Sequence, residues 1–122
     1  MKKNKVNLVT GGAGFLGSHL IDRLINLGEE VICVDNLSTG TKRNFTRWLG
    51  NPKFEYINHD IINPINLNVK KIWHLACPAS PFKYKLDPIK TSKINFLGTE
   101  NMLSLAEKNN AKIFTTSKRR TE

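Results

Sequence analysis

The residues of this chain that could do chemistry are concentrated in a glycine-rich stretch near its start. Gly12, Gly14 and Gly17 fit the spacing G-x-G-x-x-G, and Gly11, Gly14 and Gly17 fit the wider G-x-x-G-x-x-G. In either register one glycine permits a tight turn, the next lets the backbone approach an anion, and the third lets a helix pack closely on a strand. The amides and the positive dipole end of that helix would then face a phosphate. The stretch therefore predicts a pyrophosphate site.

A carboxylate at the end of the second predicted strand supplies the other part of such a site. Asp35 follows the apolar run Val31–Val34 and lies 18 residues after Gly17. A carboxylate there can accept hydrogen bonds from the ribose hydroxyls of an adenosine, and it would repel a 2′-phosphate. The alternative is a turn that only connects strand and helix, and the ordered series of strand, turn, amphipathic helix, strand and acid argues against it. We therefore predict a dinucleotide-binding unit over residues 6–40 that prefers NAD to NADP.

The elements that must position these residues alternate along the chain. Short β-branched runs are separated by helical patterns, which is typical of an α/β fold of Rossmann type with a doubly wound parallel sheet. The predicted strands are Val6–Thr10, Val31–Val34, Phe54–Asn58, Ile72–Ala76 and Lys112–Thr116. The predicted helices are Leu16–Leu27, Arg43–Leu49 and one that starts at Asp87-Pro88, with Ile89, Phe96, Leu103 and Ala106 on its inward face. The expected strand order is 3-2-1-4-5, with a ligand crevice between strands 1 and 4.

Composition and charge make several other classes of function improbable. The chain has 122 residues and a net charge of +9, but six of the basic residues lie at its two ends, so nucleic acid is not an expected partner. No apolar run approaches the ~20 residues that span a bilayer, and no signal peptide is recognisable, so we expect a cytoplasmic protein without membrane contact. Cys33 and Cys77 lie far apart in sequence. The histidines share no ligand spacing with them, so neither a disulfide nor a metal site is expected.

Further stretches of the chain resemble a particular group of extended short-chain dehydrogenase/reductases that modify nucleotide sugars. These stretches are Thr10–His19, Val34–Gly40, Thr41–Gly50, His59-Asp60, His74–Pro81 (H-L-A-C-P-A-S-P) and Asn95–Leu103. Together they are similar to the UDP-glucuronate decarboxylase family, the UDP-xylose synthases, and the resemblance runs from about Val6 to Ser117. The alternatives are a nucleotide-sugar epimerase or 4,6-dehydratase fragment and a non-catalytic nucleotide-binding module.

The resemblance implies a role for individual residues. The pyrophosphate would be lined by Gly14, Phe15 and Leu16, between Gly11 and Gly17 of the turn. The adenosine ribose would be held by Asp35, Asn36, Ser38, Thr39 and Gly40, and the adenine by Asp60 and Ile61. The nicotinamide side would be bordered by Leu75, Ala76 and Cys77. The UDP-sugar would meet Lys93 and Asn101 on the long helix.

Several of these roles have simpler alternatives. Asn101 and Lys93 could be helix residues that face solvent. Cys77 could be a small packing residue whose backbone alone approaches the cofactor. Asp60 could serve only to cap the loop after the third strand.

The reaction of the family needs a base that is not found in this chain. In the family, NAD removes hydride from the sugar C4, carbon dioxide leaves from the 4-keto intermediate, and the hydride returns. The family's base is a tyrosine followed four residues later by a lysine. The tyrosines here, Tyr56 and Tyr84, are followed at that distance by Asp60 and Pro88. No catalytic residue is therefore predicted among the 122 residues.

The last residues differ from the family's continuation. After the fifth predicted strand the family proceeds toward its catalytic pair, whereas this chain ends in the basic tail 118–122. We therefore expect a truncated NAD-binding domain over residues 1–117, inactive alone. An exposed fifth strand would favour association, so a homodimer or a complementing C-terminal fragment is the expected partner.

Overall fold

The computed structural model describes residues 6–12, 14–36, 42–75 and 88–115, leaving aside the side chains of residues 42, 88 and 90–95. Five parallel strands form one sheet in the order β3-β2-β1-β4-β5. They are β1 Val6–Thr10, β2 Glu30–Asp35, β3 Phe54–Asn58, β4 Lys71–His74 and β5 Lys112–Thr115. The predicted fold class and strand order are confirmed.

Two helices and a shorter segment complete the described residues: α1 Phe15–Asn26, the 3₁₀ segment Lys42–Trp48 and α2 Pro88–Asn109. α1 buries apolar residues at helical spacing on one face of the sheet, namely Ile21, Leu24 and Ile25. Gly28, with a φ of 86°, ends this helix in the left-handed conformation that glycine adopts without steric cost. Its amide donates to the carbonyl of Ile25, and the amide of Glu29 donates to that of Leu24. α1 therefore ends within one residue of Leu27, the predicted end of this helix.

The inward face of α2 differs from the prediction. Of the four residues assigned to it, only Ala106 is buried, whereas Ile89, Phe96 and Leu103 are 82%, 64% and 50% exposed. The buried side consists of Gly98, Met102, Leu105 and Ala106. At about 100° per residue, the exposed stripe Ile89–Phe96–Leu103 lies on roughly the opposite side of the helix.

The reason for this error is the glycine at the centre of the buried side. A Cβ atom placed on Gly98 would lie 2.6 Å from Cδ1 of Ile61. α2 thus approaches Ile61 closely at a residue that has no side chain. A prediction from the spacing of large apolar residues does not include such a contact. The prediction from the large residues was therefore wrong for three of the four positions.

Small differences occur at the strand ends. The fourth strand was predicted over Ile72–Ala76, but β4 stops at His74, so Leu75 lies outside it. The amide of Leu75 donates to the carbonyl and hydroxyl oxygens of Thr10. Asp87 and Thr116 lie outside the described residues. Among the described helices none is both long and apolar enough to cross a membrane.

Candidate functional site

The carboxyl ends of the three central strands bring the predicted site residues to one edge of the sheet. Thr10 at the end of β1 is in register with Val34 of β2 on one side and with His74 of β4 on the other. The next residues along the three chain segments, Gly11, Asp35 and Leu75, therefore all follow residues that are in register at the carboxyl end of the sheet. This is the point where the strand order reverses, and in doubly wound sheets such a point opens a crevice for ligands.

The glycine turn at this edge is held by backbone contacts that leave no room for side chains. Gly11 has a φ of 75°, its amide donates to the carbonyl of Val34, and its own carbonyl accepts from the amide of Gly14. A Cβ atom on Gly12 would lie 2.4 Å from Sγ of Cys33. One on Gly17 would lie 2.3 Å from the carbonyl oxygen of Gly11. Close packing of α1 on the sheet therefore depends on Gly12 as well as on Gly17.

Gly14 differs from these two because it borders open space. Among the described residues, a Cβ atom there would meet only the carbonyl oxygen of Gly11, at an ordinary 3.5 Å. Gly14 is the N-cap of α1, no side chain caps the helix, and its first turn holds no acidic residue. Phe15 and Leu16 are 77% and 56% exposed beside it. As far as the described residues show, the positive end of the helix is thus open to an anion, as pyrophosphate binding requires.

The carboxylates on the other side of the turn have defined surroundings. Asp35 is 9% exposed, and its carbonyl accepts a 2.9 Å bond from the hydroxyl of Tyr56. Asn36 donates to Oδ2 of Asp60 at 3.2 Å, which joins the residue after β2 to the loop after β3. Oδ1 of Asp60 accepts from the amide of Ile62, so Asp60 does cap this loop. A carboxylate offers about four acceptor sites, so the capping bond leaves capacity for a ligand.

Ile61 connects this loop to α2. Its side chain is 6% exposed and packs against Gly98, and its carbonyl accepts a 2.7 Å bond from the side-chain amide of Asn101. Asn101 is therefore not a residue that only faces solvent. Its predicted contact with a UDP-sugar stays a prediction.

His74 is a buried polar residue to which the sequence assigned no role. Its Nδ1 lies 3.0 Å from the hydroxyl of Thr10 and its Nε2 lies 3.2 Å from the hydroxyl of Thr99. Burial lowers the pKa of His74 below its usual 6.5, which favours the neutral ring. The hydroxyl of Thr10 also accepts from the amide of Leu75. A histidine in an otherwise apolar strand was the signal that could have identified this network.

Two reactive groups near the crevice do not have the chemistry of a base or a nucleophile. Burial, with a smaller effect of Asp35, raises the pKa of the Cys33 thiol to about 12, so it remains protonated. Burial likewise raises the pKa of Tyr56, whose hydroxyl donates to the carbonyl of Asp35. Neither supplies the acidified phenol that hydride abstraction from an alcohol needs.

A groove of about 780 Å³ runs along α1 beside the turn. Leu16 and Leu75, both predicted cofactor residues, line it together with Trp73 of β4. The ring of Trp73 stacks on Phe114 of β5 with centroids 4.5 Å apart. The structure thus places the first turn of α1 and the residue after β4 around one concave surface.

The remaining predicted site residues are only partly covered by the structure. Lys93 lies within α2, and its side chain is not among those described. Five others lie outside the described residues, namely Ser38, Thr39, Gly40, Ala76 and Cys77. Their roles stay predictions.

Several proteins of known sequence that are similar to this chain are named as UDP-glucuronic acid decarboxylases. UDP-glucuronic acid decarboxylase 1 of Arabidopsis thaliana is 56% identical over 110 residues, which are 90% of this chain and 25% of that protein. UDP-glucuronic acid decarboxylase 6 of the same plant is 55% identical over 90% of this chain and 32% of its own length. The Danio rerio decarboxylase 1 is 52% identical over 95% of this chain and 28% of its own length. This chain thus spans about a quarter to a third of these relatives.

Solved structures agree with the fold. A UDP-glucose 4-epimerase from Thermotoga maritima, solved with UDP-glucose, superposes with a TM-score of 0.78 at 31% identity, over 92% of this chain and 37% of the epimerase. The epimerase from Bifidobacterium longum, solved with NAD+ and UDP, has a TM-score of 0.77 at 27% identity, over 92% and 36%. Residues 7–118 match the NAD dependent epimerase/dehydratase family. With this match and an open glycine turn beside a terminal carboxylate, the chain belongs to the NAD dependent epimerase/dehydratase family.

Proposed function

We propose that this chain is the NAD-binding part of a UDP-glucuronate decarboxylase. The observation that carries the proposal is the identity of 52–56% with proteins named as such decarboxylases. The similar epimerases and dehydratases of known structure are only 23–32% identical to this chain over the aligned residues. The difference favours a decarboxylase over an epimerase or a 4,6-dehydratase.

The described residues fit NAD. The uncapped first turn of α1 and the space at Gly14 suit the pyrophosphate, and Asp35 would accept hydrogen bonds from the adenosine ribose. Asp60 and Ile61 would border the adenine, and Leu75 the nicotinamide. When bound, NAD would supply a reversible hydride acceptor for the sugar C4. The chain's own residues would bind and orient the cofactor.

We further propose that these 122 residues do not turn over UDP-glucuronate alone. The phenol of Tyr56 has a raised pKa and is bonded to the carbonyl of Asp35, and neither tyrosine is followed by a lysine at the fourth position. A complementing C-terminal fragment would have to supply the base. A homodimer through exposed apolar surface is the other partner that we propose.

Two measurements on this chain test the proposed function. Titration with NADH, followed by nicotinamide fluorescence, should show saturable binding that is stronger than that of NADPH. Absence of NADH binding would overturn the proposal. An assay for UDP-xylose should then show product only when the C-terminal half of the Arabidopsis decarboxylase is added. Turnover by the chain alone would overturn the claim of inactivity, and no turnover with the added half would favour a nucleotide-binding module without catalytic function.

A further inference from the structure

We propose that Asn101 is a positioning residue for the adenosine end of the cofactor site, and that it acts through Ile61. This inference rests on the proposed binding of NAD. It gives Asn101 a different role from the direct contact with a UDP-sugar that the sequence predicts. The carrying observation is the 2.7 Å bond from Nδ2 of Asn101 to the carbonyl of Ile61, which joins residues 40 positions apart.

The bond acts on a loop that has few other attachments in the described part of the chain. Within the loop, Asp60 accepts from the amides of Ile62 and Asn63, and these contacts shape the loop without fixing its place on the sheet. Its place is set by the bond between Asn36 and Asp60 on the side of β2, and by Ile61 on the side of α2. The bond from Asn101 therefore fixes the position of Asp60 and Ile61 at the border of the crevice.

Packing against Gly98 holds the side chain of Ile61, the residue whose carbonyl is bonded to Asn101. Ile61 is 6% exposed, and a Cβ atom on Gly98 would lie 2.6 and 2.9 Å from its Cδ1 and Cγ1 atoms. The carbonyl of Ile61 is thus held by Asn101 while its side chain fills the space that Gly98 leaves open. Asn101 and Gly98 are three positions apart and so lie on the same side of α2, and together they hold Ile61 at two points.

The same helical turn also reaches the other side of the crevice. Thr99 lies 3.2 Å from Nε2 of His74, and His74 is bonded through Thr10 to the amide of Leu75. Residues 98–101 of α2 therefore contact both the loop after β3 and the end of β4. A shift of this turn would move the borders at both ends of the cofactor.

Asn109 provides a matched control on the same helix. Its side-chain amide donates to the carbonyl of Leu67 at 2.9 Å, so it also ties a loop backbone to α2. That loop leads through Val69 and Lys70 into Lys71, the first residue of β4. It therefore lies at the amino ends of the strands, whereas the crevice lies at their carboxyl ends. Loss of either asparagine removes an attachment of the same chemical type, but only one attachment borders the predicted site.

The experiment measures dissociation constants of NADH and ADP-ribose by titration calorimetry for the whole chain and its variants. Asn101→Ala is expected to weaken both ligands about five- to tenfold, since ADP-ribose contains the adenosine end, whereas Asn109→Ala should leave both within about twofold. Asn101→Gln, which keeps an amide donor on a longer side chain, should lie between wild type and Asn101→Ala and serves if the alanine variant does not fold.

The outcomes separate the inference from the proposed function. If the wild type does not bind NADH, the proposed function fails. If the wild type binds but Asn101→Ala binds equally well, Asn101 does not position the adenosine end. Where the alanine variant does not fold, binding by Asn101→Gln equal to that of the wild type leads to the same conclusion. Equal weakening by Asn109→Ala would also overturn the inference, because it would show a general effect on the fold.

Discussion

At the scale of single residues, we propose that Asp35 makes the site prefer NAD to NADP. We expect Asp35→Asn to weaken NADH binding about ten- to a hundredfold, because hydrogen bonds to a charged group contribute ~1.5–3 kcal/mol. The same change should narrow the difference between NADH and NADPH, since the carboxylate no longer repels a 2′-phosphate. Fluorescence titration with both ligands measures the two effects.

Glu55 is a suitable control for this variant. It is an exposed carboxylate on β3, and its register with Ile32, three residues before Asp35, places it away from the carboxyl ends of the strands. Glu55→Gln should leave both affinities within about twofold, because an exposed charge at this distance is screened by salt. An unchanged preference for NADH in Asp35→Asn would show that another residue makes the selection.

His74 makes the stability of the domain depend on pH. Burial lowers its pKa below 6.5, so the unfolded chain binds a proton at this residue more readily than the folded chain does. The stabilising contribution is complete above pH 6.5 and is lost as the pH falls through the folded-state pKa. We therefore expect the free energy of unfolding to decrease between pH 8 and pH 5.

Urea unfolding of the wild type and His74→Gln at the two pH values isolates this residue from the other titrating groups. The variant should be less stable at pH 8 by about 1–3 kcal/mol, because it loses buried hydrogen bonds to Thr10 and Thr99. It should also lose less stability than the wild type on going to pH 5. An equal loss in both proteins would show that the pKa of His74 is the same in the folded and unfolded states.

At the scale of elements, the glycines at the junction of β1 and α1 differ in whether the packing leaves room for a Cβ atom. Gly17→Ala places a Cβ atom 2.3 Å from the carbonyl oxygen of Gly11 and 2.7 Å from Cα of Gly12, and neither backbone atom can move aside cheaply. We expect this variant to lose about 1–3 kcal/mol of the free energy of unfolding, a cost typical of overpacking. Thermal and urea unfolding measure the loss.

Gly14→Ala is the matched comparison. Its φ and ψ of −83° and 175° are allowed for any residue, and its Cβ atom would meet nothing closer than 3.5 Å. The free energy of unfolding should therefore change by less than about 0.5 kcal/mol. NADH affinity should still fall, because the methyl group occupies the space through which a pyrophosphate approaches the helix amides. Full NADH affinity in Gly14→Ala would place the pyrophosphate elsewhere.

At the scale of the whole molecule, the exposed stripe of α2 and the edge strand β5 present apolar surface to solvent. Ile89 and Phe96 are 82% and 64% exposed, and Phe114 on β5 is 41% exposed. Exposed apolar side chains and a strand at the edge of the described sheet both favour association. We expect the sedimentation coefficient to rise with protein concentration. The double variant Phe96→Ser/Leu103→Ser should shift this rise to higher concentration by about tenfold, on the basis of the apolar area removed.

Leu27 at the end of α1 is 68% exposed and serves as the control for this test. Leu27→Ser removes one exposed leucine that lies away from α2, and it should leave the concentration dependence unchanged. Equal effects of the two variants would show association through apolar surface in general, and a wild type that stays monomeric would exclude the proposed homodimer.

The amino-acid sequence by itself determined the order of elements, the parallel sheet and the place of the crevice. These follow from local periods: buried strands are short apolar runs, α1 repeats its apolar residues every three to four positions, and a doubly wound chain reverses at β1 and β4. The glycine turn and Asp35 were predictable for the same reason, since they lie within one strand-helix-strand unit of 30 residues, Val6–Asp35.

The tertiary structure alone decided which groups meet across long separations in the sequence. Thr10 and His74 are 64 positions apart, and Asn101 and Ile61 are 40 apart. A periodic pattern indicates which residues of a helix share a face, but it does not show what packs there. The face of α2 that is buried is therefore set by Gly98 and Ile61 and not by its large apolar residues. The partners of Asn101 and His74 follow from that packing, because burial leaves a polar side chain stable only where it finds a hydrogen bond.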